Sequence, residues 1–176
     1  ITLGRALHLT GHTAQAEIVL LKAFVAHPQN ENAAYNLAVF YQQEGQAAQA
    51  LQFLEPAAAQ HPQSVRLHYN LGVNRAACGM AHEALQAFEQ TLRLAPTHLQ
   101  AHQNLALMQL GMGQLTTGWA HYAWRFNRHH WEGAPPHWQP QTAVLPMDLN
   151  GAPIELMGEQ GLGDELFFLR FLPALK

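Results

Sequence analysis

Between Val65 and His98 the apolar residues recur at helical spacing in two runs parted by a glycine. Val65, Leu67, Leu71 and Val73, with small Gly72 and Ala76, mark one face of a first segment from Val65 to Cys78. Gly79 ends it. Ala84, Leu85, Phe88, Leu92 and Leu94 mark one face of a second segment from Met80 to Leu94, and Pro96 just beyond cannot continue a helix. The interval that separates Asn36 from Asn70 carries each landmark onto an equivalent elsewhere. Asn36, Asn70 and Asn104 form one column, Leu3, Leu37, Leu71 and Leu105 the next, and Gly4, Ala38, Gly72 and Ala106 the one after. Gly11, Gly45, Gly79 and Gly113 fall in a fourth, and Ala16, Ala50, Ala84 and Gly118 in a fifth. Leu20, Leu54, Phe88 and Tyr122, then Pro28, Pro62 and Pro96, complete the set without one insertion.

The pattern predicts helix pairs: Thr2 to Leu9 with Ala14 to Ala26, Ala33 to Glu44 with Ala47 to Gln60, the pair from Val65 to Leu94, and a fourth pair from Leu99. The repeats cover 1–30, 31–64, 65–98 and 99–126. No single pair can bury its own apolar face, so the copies must stack. This order of small, apolar, glycine and proline landmarks at one fixed interval resembles the tetratricopeptide repeat. That resemblance implies an all-α superhelical solenoid whose first helices line the concave side. The fourth copy drifts, with Gly118, Trp119, Tyr122, Trp124 and Phe126 making its second helix aromatic, as in a repeat that caps a stack or docks something.

Composition narrows the functional classes. Charged residues make up 12% and the net charge is -3, with no Lys or Arg run, which argues against nucleic acid. Cys78 is the only cysteine, so neither an intramolecular disulfide framework nor a cysteine-based zinc site is available; near the end of a helix it is expected to be small, buried and apolar. No stretch of ~20 apolar residues suggests a membrane span, and no signal peptide can be read in the given residues. A cytoplasmic setting is the expectation, and the absence of an initiator Met reads as a fragment.

The asparagine column carries the sharpest polar signal. Evenly spaced Asn36, Asn70 and Asn104 on successive first helices each offer an amide donor and a carbonyl acceptor, which can pair with the backbone of an extended peptide. The same groups can instead satisfy neighbouring backbone. The column resembles the asparagine ladder in the repeat groove of O-linked N-acetylglucosamine transferases, at these three positions alone. Tyr35, Tyr69, Arg66 and Gln103 join it as candidate peptide-binding residues, with Val39 and Val73 between them. Some tetratricopeptide domains grip the C-terminal carboxylate of chaperones with a basic clamp. Only Arg5 and Arg66 are offered here, so that partner is not expected. Twelve histidines invite a metal, but their irregular spacing, even at His129, His130 and His137, favours hydrogen-bonded or solvated side chains, and no metal site is expected.

Beyond the repeats the composition changes. Residues 127–152, with Pro135, Pro136, Pro140 and Pro146, read as a connector. Residues 153–176 read as a strand, a glycine turn and a helix. In the turn from Gly158 to Asp164, Gly161 and Gly163 let backbone approach a ligand, and the helix start that follows favours an anion. Asp164 also suits a plain helix N-cap. Gly118-Trp119, Trp124-Arg125-Phe126, Trp138, Asp148-Leu149-Asn150-Gly151 and the Gly158 to Asp164 turn together resemble, in order and spacing, the junction in bacterial proteins that join tetratricopeptide repeats to a glycosyltransferase-like domain. That family is related to heptosyltransferases and has two Rossmann-like lobes, of which residues 153–176 would be the first βα unit. The resemblance implies Asp164 as a catalytic base and a nucleotide-sugar donor in an intact parent, with no cofactor and no activity in this fragment.

Three functions follow as expectations. The first is a protein- or peptide-binding module that presents a partner to the missing domain. The second is an active nucleotide-sugar glycosyltransferase parent, and the third a non-enzymatic assembly scaffold. Leu166, Phe167, Phe168, Leu169, Phe171 and Leu172 lack their sheet here, so that helix is expected to fold onto the fourth repeat or to be shared between two chains.

Overall fold

A computed structural model describes residues 2–124. Among these residues there are eight helices and no strand: α1 Thr2–Leu9, α2 Thr13–Ala26, α3 Glu31–Gln43, α4 Ala47–Gln60, α5 Val65–Ala77, α6 Ala81–Leu94, α7 Leu99–Gly111 and α8 Leu115–Tyr122. The connector, the glycine turn with Gly161, Gly163 and Asp164, and the last apolar segment lie outside the described residues.

The two helices of each pair begin differently. Asn30 caps α3, its side chain accepting from the backbone N–H groups of Asn32 at 2.9 Å and Ala33 at 3.2 Å. This places the helix start two residues ahead of Ala33. Ser64 caps α5 and His98 caps α7 at the same place in the repeat, each two residues after the proline. The second helices α2, α4, α6 and α8 have no side-chain cap. Their starts are set by the turn before them. Gly11, Gly45, Gly79 and Gly113 all take φ between 74° and 79°, the left-handed region that glycine enters without a Cβ penalty. At the second turn Gly45 N–H bonds Gln42 O at 3.1 Å and Gln46 N–H reaches back to Tyr41 O at 2.8 Å. The same pair of bonds recurs at the other three turns, so each first helix ends in a Schellman motif. Cys78, the residue just before Gly79, is exposed there, against the expectation of a buried thiol, because the C-cap faces solvent after the last helical turn.

Packing follows the columns. Leu37 and Leu105 are fully buried and Leu71 nearly so, whereas Leu3 on α1 is 59% exposed. Leu54 and Phe88 are fully buried against the small residues of the partner helix. The sizes are matched. A Cβ built on Gly72 would lie 2.5 Å from Cε1 of Phe88, and one on Gly4 would lie 2.7 Å from Cγ of Leu20. Each helix packs on the next in sequence, while α1 also touches α3 and α3 touches α5. The first helices therefore form the inner side of the stack, with the second helices farther apart from one another.

Candidate functional site

On the inner side the asparagine column is engaged with its own helices. Asn36 Nδ2 donates to Asn32 O at 2.5 Å, Asn70 Nδ2 to Arg66 O at 2.7 Å, and Asn104 Nδ2 to Gln100 O at 2.9 Å. Each bond uses one of two amide protons and fixes the rotamer. The carbonyl oxygens Oδ1 of the three make no hydrogen bond among the described residues. Asn36 and Asn104 are half-buried, and Asn70 is recessed, at 8% exposure.

The other candidates are partly spent on one another across successive repeats. Arg66 Nε donates to Glu31 Oε1 at 2.6 Å, its Nη2 donates to Asn32 Oδ1 at 2.6 Å, and the guanidinium lies 4.9 Å from the ring centre of Tyr35. Ser64 Oγ donates to the same Glu31 oxygen, and these donors hold the Glu31 carboxyl below its ordinary range, Arg66 contributing most. Tyr69 packs on Phe88 and His98, receives a long 3.4 Å bond from Asn104 Nδ2, and has its hydroxyl pKa raised by burial. Asn74, fully buried, donates to Gln42 Oε1 at 3.3 Å and to Asn70 O at 2.8 Å while its own Oδ1 is unpartnered. Gln103 is half-buried on α7. Arg5, His8, Asn36, Val39, Phe40 and Gln43 line a hollow of about 30 Å³, enough for a water but not for a side chain. The inner face is thus a neutral, amide-rich surface with preset acceptors, rather than an enclosed pocket.

One cluster escaped the reading of the sequence. His102 on α7 is 6% exposed, lies parallel to the Trp124 ring at 4.1 Å, and sets Nδ1 2.8 Å from Nδ1 of His121. Its Nε2 donates to Pro96 O at 2.9 Å. A carbonyl only accepts, so neutral His102 carries its proton on Nε2 and its Nδ1 accepts from His121. Desolvation lowers both pKa values; at His102 the bond to Pro96 O opposes it and His98 adds to it, and at His121 His102 adds to it against the pull of Glu89. A signal was present. His68 makes the same bond to Pro62 O at 3.0 Å, and both members of that pair recur one repeat later as His102 and Pro96. Among the described residues no group of three or more His, Cys, Asp or Glu could hold a metal ion, and no helix is long and apolar enough to cross a membrane.

Residues 7–72 match the tetratricopeptide repeat family model. No curated protein matches the chain. Among solved structures, MamA 41-end from Desulfovibrio magneticus RS-1 is 25% identical with a TM-score of 0.63, covering 69% of this chain and 68% of that one. MamA AMB-1 is 26% identical with a TM-score of 0.62, over 68% of this chain and 71% of that one. A further MamA structure at 20% identity has a TM-score of 0.67 over 72% and 74% of the two chains, a likeness of fold. The described residues therefore form an all-helical solenoid like those of MamA, a repeat architecture consistent with protein–protein interaction.

Proposed function

We propose that the inner face binds an extended protein segment through Asn36, Asn70 and Asn104, with Tyr35, Tyr69, Arg66 and Gln103 beside them. The observation that carries this reading is the pinned carboxamide. Each Asn is held by its own helix with Oδ1 left as an acceptor, so little side-chain entropy remains to be lost when a backbone N–H arrives. Asn36 and Asn104 contribute more than recessed Asn70. Arg66 acts as a brace, since its guanidinium is committed to Glu31, Asn32 and Tyr35.

In the longer protein this module presents its partner to the glycosyltransferase-like domain begun by residues 153–176, where Asp164 beside Gly161 and Gly163 serves as base. The motif order from Gly118 to Asp164 supports that extension. Affinity capture with the immobilised chain supplies a partner, and titration calorimetry with Asn36→Ala, Asn70→Ala and Asn104→Ala tests the binding face. Loss of about 1 kcal/mol is expected at positions 36 and 104, and less at 70. Unchanged affinity in the folded triple variant would remove the proposal.

A further inference from the structure

The outer side of the stack has a groove that its own repeat pattern explains. Between α1–α2 and α3–α4 the space is filled by rings: Phe24 meets Phe53 edge-on at 5.2 Å, and Tyr41 stacks on Phe53 at 5.6 Å with an interplanar angle of 8°. One repeat further along the chain, Ala58, Arg75 and Ala87 stand where Phe24, Tyr41 and Phe53 stood. The aromatic pair becomes an alanine pair. The result is an open groove of about 410 Å³ between α4 and α6, floored by Ala58, Leu71 and Ala87 of α4, α5 and α6.

Its polar lining is unbalanced in charge. Glu55, Arg75 and Arg93 all line it, giving two guanidinium groups to one carboxylate. Arg75 Nη2 donates to Glu55 Oε1 at 3.1 Å and its Nη1 makes a long 3.4 Å bond to Glu83 O, while its Nε is buried with no partner. Arg93 Nε donates to Gln90 Oε1 at 2.7 Å, its one hydrogen bond among the described residues. His68, on the same wall, is occupied by Pro62 O. Guanidinium groups with unused donors beside a small apolar floor match a carboxylate next to an aliphatic side chain.

We infer that this outer groove is a second docking site, which takes an acidic partner segment by laying one aliphatic side chain on Ala58, Leu71 and Ala87 and setting a carboxylate against Arg75 and Arg93. It is independent of the asparagine column, which lies on the first helices' inner side. The probe is the peptide acetyl-Glu-Leu-Glu-Leu-Glu-amide, titrated into the full chain while the methyl signals of Ala58, Ala59 and Ala87 are followed by NMR. Saturable shifts at these methyls are expected, with affinity falling about tenfold or more for the all-glutamine counterpart and for Arg93→Gln. The double variant Ala58→Phe/Ala87→Phe rebuilds the ring pair of the first gap and should abolish binding with the helical circular dichroism retained; if it does not fold, exposed Arg93→Gln decides alone. The asparagine triple variant should bind the peptide as the parent does. Absent shifts, equal binding of the glutamine peptide, or shifts at Asn36 and Asn104 in place of the alanines would each overturn the inference, as would methyl shifts on simple dilution, which would make a second copy the occupant.

Discussion

In the third repeat α6 runs for 14 residues and buries Phe88 completely against Gly72; in the fourth, α8 ends after 8 and leaves Trp119 52% exposed. Both stand on the same frame. Gly79 and Gly113 make the same turn, and Leu71 and Leu105 occupy the same buried column. The difference lies in what the second helix meets. α6 packs between α5 and α7, so a ring from it is surrounded, whereas α8 packs on α7 and turns to stacked and edge-on rings: His102 with Trp124, and Trp119 with Tyr122 at 5.3 Å. A repeat inside the stack is held by shape, and the one that closes the described stack by rings with polar edges.

The most severe way to break this comparison is truncation of the two rings. Phe88→Ala should cost about 3–5 kcal/mol, as for a fully buried aromatic, and Trp119→Ala no more than about 0.5 kcal/mol. Urea unfolding of both variants checks it, and equal losses would contradict the contrast between inner and outer repeats.

A sharper test addresses the matched sizes. Gly72→Ala pushes a methyl group into the Phe88 ring and should cost about 1–3 kcal/mol as overpacking, despite alanine's better helix propensity. Gly72→Ala/Phe88→Leu copies the Ala38 and Leu54 pairing of the second repeat, and should unfold at a higher urea concentration than Gly72→Ala alone. No recovery in the double variant would mean that Gly72 is needed for its backbone rather than for the space it leaves.

The smallest effect belongs to pH. His102 and His121 are held neutral, with folded pKa values below the ordinary 6.5, so the unfolded chain binds protons in a range where the folded chain does not. Their contribution is complete above about pH 6.5 and is lost as pH falls through the folded values. Melting temperatures taken between pH 8 and 5 should decline on the acid side, and the decline should shrink in His102→Gln/His121→Gln. An unchanged profile in that variant would show that the ring pair does not couple protons to folding.

The helices and buried columns were legible because a solenoid repeats its own solution: the glycine that must be left-handed and the residue that must be small recur in register. Boundaries were read less finely where a cap decided them, as at Asn30, whose side chain starts α3 at Glu31, ahead of the first apolar landmark of that helix. The inner asparagines were legible as a column, but not their bonds to the preceding turn, which depend on a rotamer. Arg66 read as an open cation, and only coordinates reveal that Glu31 and Asn32, about one repeat away in sequence, take up its donors. The outer groove was hidden for the opposite reason: it arises from alanines, and a pattern search looks for what is present.

The matched caps carry a consequence for how such a chain can change in length. Asn30 and Ser64 are interchangeable devices, both following a proline by two residues and both opening a first helix. Excising residues 31–64 would join Asn30 to Val65 and hand α5 the cap of α3, without disturbing a glycine turn on either side. Insertion of another block of the same length at that seam would work equally well. Any other length would set a cap against the middle of a helix, so duplication and loss of whole units is the mutational step to which this architecture is open.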